Sequence, residues 1–145
     1  MIETRTAPFA ALILRLALGG MFLSHGLLKL LVFTPAGTAG FFASLGLPGW
    51  LGYATMAAEI TGGVLLIAGV QTRKVSLVLI PVLLGALWVH SGNGWLFTSA
   101  NGGWEYPLFL SLSAAAQALL GDGAYSLSAL LGQKKTSYSN AQSVA

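Results

Sequence analysis

Four apolar stretches, each near the ~20 residues a helix needs to cross ~30 Å of hydrocarbon, divide this 145-residue chain. They run from about Phe9 to Phe33, Pro48 to Val70, Lys74 to Ser91 and Trp104 to Gly121. The chain is 55% hydrophobic and only 8% charged, with a mean hydropathy of +0.77. A soluble domain carries about 25% charged residues, so there is too little polar surface here to coat a soluble globule. The expected fold class is all-α: an integral membrane four-helix bundle with both termini cytoplasmic.

The first stretch follows Arg5 and could be taken for a leader peptide. It is too long, it carries Arg15, His25 and Lys29, and no small-residue cleavage site follows it. It reads as the first membrane helix. Pro48 suits the first turn of the second helix, and Pro81 predicts a kink in the third. Between the stretches lie a Gly/Pro-rich loop over residues 34–47, a tight turn over 71–73 and a Gly/Asn/Ser loop over 92–103. Residues 1–132 read as one transmembrane domain, and residues 133–145 as a disordered polar cytoplasmic tail.

Positive charge sets the orientation. If four helices alternate, Arg5, Arg73, Lys74, Lys134 and Lys135 share one side, and the opposite loops hold no Lys or Arg. The positive-inside rule makes that side cytoplasmic. Trp50, Trp88, Trp95 and Trp104 then lie near the outer interface, where amphipathic rings prefer to sit. The net charge of +3 is confined to loops and tails, so it describes topology and not a nucleic-acid surface.

Against this apolar background the ionisable side chains stand out. A charge at membrane depth costs roughly 2.5–3.5 kcal/mol on insertion scales unless it is paired or wet. Helical rise puts His25 about 12 Å from the outer end of helix one, and Glu59 about 15 Å from that of helix two. The matching depths suggest a His25–Glu59 hydrogen bond. Lys29 lies one turn from His25 on the same face. His90 ends helix three and Glu105 begins helix four, both on the outer side. The five groups are expected to form an outward-facing polar pocket.

Small residues follow the same faces. Arg15, Gly19, Phe22, Gly26 and Lys29 make one stripe, and Gly52, Thr55, Glu59, Gly62 and Leu66 another, as closely approaching membrane helices require. Plainer readings exist for several positions. Lys29 and Glu105 suit interfacial heads in water, and His90 suits a solvated helix end. The tryptophans suit a belt, although Trp88 and Trp104 could line a pocket mouth. Arg15, Arg73 and Lys74 suit topology anchors, with Arg15 satisfied by Gln117, Asp122, backbone carbonyls or snorkelling.

A carboxylate, two imidazoles and an ammonium in a low-dielectric cavity suit proton transfer. Such a cavity fits a quinone head group, with Lys29 or His25 donating to its carbonyls and Glu59 relaying protons. It also fits a small polar or anionic substrate. A metal held by His25, Glu59, His90 and Glu105 is disfavoured, because no HxxxH or HExxH spacing exists. With no cysteine, thiolate sites and disulfides are excluded. No nucleotide loop, flavin fingerprint or serine triad appears, so electrons would have to come from a partner.

The run Arg15-Leu-Ala-Leu-Gly-Gly-Met-Phe-Leu-Ser-His25-Gly-Leu-Leu-Lys29-Leu resembles the first helix of the DoxX family of small bacterial membrane proteins. Ala57-Ala-Glu59-Ile-Thr-Gly62-Gly63 and Gly69-Val-Gln-Thr-Arg73 are similar to its second helix and following turn. His90-Ser-Gly-Asn93-Gly94-Trp, Gly103-Trp-Glu105-Tyr106-Pro and Gly121-Asp-Gly123-Ala-Tyr125-Ser-Leu are similar to its third helix, fourth helix and exit. The resemblance spans about Ala10 to Leu131. Two positions depart from it: Asp122 stands where a proline is expected, and Ser128 where an aspartate is. The family implies a multi-pass four-helix bundle in the bacterial inner membrane. Members include a subunit of thiosulfate:quinone oxidoreductase, and others associate with redox or oxidative-stress proteins. By that likeness Arg15, His25, Lys29, Glu59, His90 and Glu105 are family-type polar positions.

The resulting expectation is the membrane subunit of an oxidoreductase system. Glu59 and His25 would do the proton chemistry, while Lys29, His90, Glu105, Trp88 and Trp104 would bind quinone or a similar small redox molecule. Any enzymatic activity would need a protein partner. The alternative is a non-catalytic anchor or scaffold for a soluble redox or stress-response partner. A small-solute transporter is a weaker third reading, since no internal repeat is visible.

Overall fold

The structure, a computed structural model, describes residues 3–131. The expected tail, with Lys134 and Lys135, lies outside the described residues. Among the described residues, helices α1 (Ala7–Leu31), α2 (Pro35–Ser44), α3 (Trp50–Ala68), α4 (Thr72–His90) and α5 (Glu105–Leu120) follow one another. There is no strand among the described residues. Helices α1, α3 and α4 are long and apolar enough to cross a membrane. The 16 residues of α5 extend about 24 Å. Helix α4 runs through Pro81 as one element.

Helix α2 corrects the expected loop. Thr34 accepts a hydrogen bond on its Oγ1 from the Gly37 N–H at 3.1 Å, and Pro35 takes the first helical position, where its missing N–H costs nothing. The helix folds back on the start of α3. A Cβ on Gly52 would come within 3.2 Å of the α2 backbone at Thr38 and Ala39, so glycine permits that contact.

Helix α1 packs mainly on α3 and α4 mainly on α5; α3–α4 and α1–α5 contacts complete a closed cycle. The α1–α3 seam is a backbone-to-backbone approach. A Cβ on Gly63 would fall 2.6 Å from the Leu23 nitrogen and 2.9 Å from the Gly19 carbonyl oxygen. Gly63, not Gly62, is therefore the α3 glycine at this seam, and Gly62 packs instead under Leu79 of α4.

The distribution of polarity is inverted relative to a soluble protein. Arg15, Glu59, Thr72, Ser76 and Gln117 are buried, while Ile13, Val78, Phe109 and Leu119 are exposed. The apolar core is small, centred on Leu18, Phe22, Leu66, Leu79 and Leu83. An apolar exterior this extensive suits lipid, not water.

At the end opposite α2, the chain is tied together by polar contacts. Gly69, at φ +71°, ends α3 in a Schellman motif, with the Val70 N–H donating to the Leu65 carbonyl at 3.0 Å. Asp122 Oδ1 then accepts from the Thr72 N–H at 2.7 Å and from its hydroxyl at 2.8 Å, capping α4.

Candidate functional site

Lys29 on α1 and Glu59 on α3 meet across the glycine seam. The Lys29 ammonium donates to Glu59 Oε1 at 3.0 Å and to Oε2 at 2.8 Å. The side chains are 20% and 8% exposed, so the pair sits at the edge of the interior and its lysine keeps some access to the outside. Gly26, one turn before residue 29 on α1, makes this possible: a Cβ there would fall 3.0 Å from the Ile60 nitrogen. A closed approach of the two backbones brings a shortened lysine path to the carboxylate.

The expected His25–Glu59 hydrogen bond is replaced by this ion pair. His25 Nδ1 lies 2.8 Å from the Met21 carbonyl oxygen. A carbonyl only accepts, so Nδ1 carries a proton, and in the neutral ring Nε2 is left as the acceptor. The ring still lies within electrostatic reach of Glu59. It stacks on Tyr106 of α5, with centroids 6.2 Å apart and planes 28° apart. Depth arithmetic carries no information on the direction of a donor, and that of His25 turns onto its own helix.

The structure separates the remaining expected members. His90 also turns its Nδ1 onto its own helix, 2.7 Å from the Ala86 carbonyl, and its ring rests beside Gly102. Glu105 Oε1 accepts from the Phe97 N–H at 2.8 Å, which ties α5 to the preceding loop. Trp88 is exposed. Trp104 packs edge-on against Trp95, with centroids 4.5 Å apart. His90, Glu105 and Trp104 thus make their contacts around the α4–α5 connection.

One group was missed at the sequence level. The Tyr106 hydroxyl, on the ring that stacks on His25, is buried with no hydrogen-bond partner among the described residues. An unpaired buried hydroxyl is costly; in this position it is a donor and acceptor held ready. Its placement one residue after Glu105, in the first turn of an α5 that crosses α1, was the available signal.

Arg15 occupies the other end of the molecule. It is 1% exposed, and its guanidinium donates to the carbonyls of Leu66 (3.1 Å), Ile67, Ala124 (3.0 Å) and Tyr125 (3.1 Å). Two of these, Leu66 and Ile67, belong to the last turn of α3, where the helix dipole favours a cation. Arg15 thus joins α1, α3 and the exit segment. Arg73 packs beside Gly121, while Lys74 is exposed on the first turn of α4. Among the described residues, no group of three or more His, Asp or Glu side chains is placed to hold a metal ion.

Residues 10–92 match the family model described as DoxX. The chain belongs to the DoxX family. This DoxX chain is also 37% identical over 83 residues to "Putative oxidoreductase CatD" of Bacillus subtilis (strain 168). The similar segment spans 57% of the chain and 60% of that relative. No solved structure matches it. The family match contains Arg15, His25, Lys29, Glu59 and His90, and ends before Glu105 and Tyr106.

Proposed function

We propose that the chain is the membrane subunit of an oxidoreductase system, with a small redox molecule of the quinone class as its ligand at the Lys29–Glu59 site. The carrying observation is a lysine–glutamate pair set within the apolar helices, with the nearby His25 imidazole stacked on Tyr106, whose hydroxyl is buried and has no partner among the described residues. Structural ion pairs need neither of the last two. The similarity to a relative whose name includes oxidoreductase supports the class of chemistry.

The residues fit a quinone as substrate. Its two carbonyl oxygens only accept, and Tyr106 Oη and the Lys29 ammonium both donate. Conversion of quinone to quinol takes up two electrons and two protons. A soluble electron-donating partner supplies the electrons, and His25 with Glu59 delivers protons from outside. Four helices cross the membrane in this reading. Both termini and the Arg73–Lys74 turn are cytoplasmic, and the Lys29–Glu59 site opens to the outer half of the inner membrane.

Photolabelling with an azidoquinone tests the placement. Label on peptides containing His25 or Tyr106, reduced by excess unmodified quinone, is the expected outcome. Label spread evenly over lipid-facing residues such as Phe109 and Leu119 would contradict it. The second reading, a scaffold for a soluble partner, draws on the exposed basic turn at Arg73 and Lys74. Charge reversal there should abolish partner capture on that reading and leave quinone labelling intact on the first.

A further inference from the structure

Helices α3 and α4 are joined by the tight turn around Val70 and Gln71 yet pack together far less than α1 with α3. The space between them is a groove of about 380 Å³, walled by Ala58, Leu65, Val75 and Val78 and floored by Gly62 under Leu79. Gln71 and Lys74 stand at one end. The volume falls within the range of about 300–1,000 Å³ typical of ligand sites. Its walls are apolar, and Leu65, Gln71, Lys74 and Val78 are exposed along its mouth.

The dimensions and the charge point to one occupant. From Ala58 to the end of α3 at Ala68 the helix axis advances about 15 Å, equal to the ~15 Å of hydrocarbon in one leaflet. The polar end is cationic: Lys74 has no ion-pair partner among the described residues. It lies at the helix end where the chain leaves the apolar span, the level of lipid phosphates. Gln71 adds an amide donor beside it. A groove one leaflet long, apolar along its length and basic at its interfacial end, matches an acyl chain carrying an anionic head group.

We infer that the α3–α4 groove binds one anionic phospholipid, its acyl chain against Ala58, Leu65 and Val78 and its phosphate at Lys74. The groove lies round α3 from the α1 seam: Gly62 packs against Leu79 of α4, while Ile60 and Gly63 meet α1, and the groove lining includes none of His25, Lys29, Glu59 or Tyr106. The lipid is therefore distinct from the redox ligand, and the inference stands whether or not a quinone binds at Lys29–Glu59.

The test is native mass spectrometry of the full chain released from detergent, titrated with phosphatidylglycerol or with phosphatidylcholine of the same acyl chains. One phosphatidylglycerol per chain is expected, retained about fivefold over phosphatidylcholine, the increment one lysine gives at an anionic surface. Lys74→Ala should remove that preference. Ala58→Phe should lower retention of both lipids; Val78→Trp, at an exposed position, should do the same without burdening the core. Equal retention of the two lipids by the unaltered chain would overturn the inference. So would unchanged retention in both groove-filling variants, or a dimer that they convert to monomers, which would make a second copy the occupant.

Discussion

Lys29 and Glu59, thirty residues apart in sequence, form an ion pair whose ammonium donates to both carboxylate oxygens at 3.0 and 2.8 Å. Their meeting depends on Gly26 and Gly63, because neither position can hold a Cβ without meeting the opposing backbone within 3.0 Å. The site and the helix seam are thus one construction: the glycines set the distance at which the charges pair.

Breaking the pair from either side should be costly in different ways. Glu59→Leu leaves a partly buried ammonium with no carboxylate, and Lys29→Met leaves a buried carboxylate with no cation. Removing one partner of a buried pair costs about 3–5 kcal/mol, whereas replacing both can be neutral; the partial access of Lys29 puts these variants at the low end. The double variant should unfold nearer the unaltered chain than either single variant does. Additive losses in thermal unfolding would show that the charges are not coupled.

The seam makes a paired prediction from two glycines. Gly63→Ala should lower stability by about 1–3 kcal/mol, the overpacking range, because its Cβ meets the Leu23 and Gly19 backbone. Gly20→Ala, where a Cβ meets nothing within 4 Å, should be neutral or stabilise by up to about 1 kcal/mol through helix propensity. Thermal unfolding of both variants in the same detergent checks the contrast.

Arg15 is expected to act in assembly. Arg15→Leu takes its donors from four carbonyls; that of Leu66 keeps its bond from the Gly69 N–H, and each carbonyl left unsatisfied in the interior costs about 1–3 kcal/mol. Its yield of folded protein should fall sharply. Arg15→Lys keeps the charge but loses the planar fork and should fall between. Quinone binding per folded molecule should stay unchanged. A normal yield with lost binding would move Arg15 into the ligand site.

Much of this arrangement was legible in the sequence, and the failures have physical causes. Helices α1, α3, α4 and α5 begin and end within a few residues of the apolar stretches, and the first three are long and apolar enough to cross a membrane. The carbonyl partners of Arg15 were among those anticipated. The partner of Glu59 was not, because helical rise gives depth but not which way a side chain turns. His25 could satisfy its donor on Met21, and the longer lysine reached the carboxylate instead. Helix α2 was hidden by its glycines, although Thr34 followed by Pro35 is a start signal.

Asp122 carries a local prediction of its own. It stands where the family resemblance leads one to expect proline, and it caps α4 through Thr72. Asp122→Ala should cost about 0.5–2 kcal/mol, as loss of a helix cap does. Thr72→Val should cost less, since the backbone bond to Asp122 survives. Denaturant unfolding of the two variants, side by side, checks that order.

The most direct measurement is a quinone titration of the chain in nanodiscs, followed by quenching of its tryptophan fluorescence, with Glu59→Gln and Tyr106→Phe alongside. Saturable quenching is expected from the unaltered chain. It should be weakened about tenfold or more by Glu59→Gln, and by less in Tyr106→Phe, where one donor worth about 1 kcal/mol is lost. Quenching that never saturates, or that saturates identically in all three proteins, would contradict a quinone at the Lys29–Glu59 site.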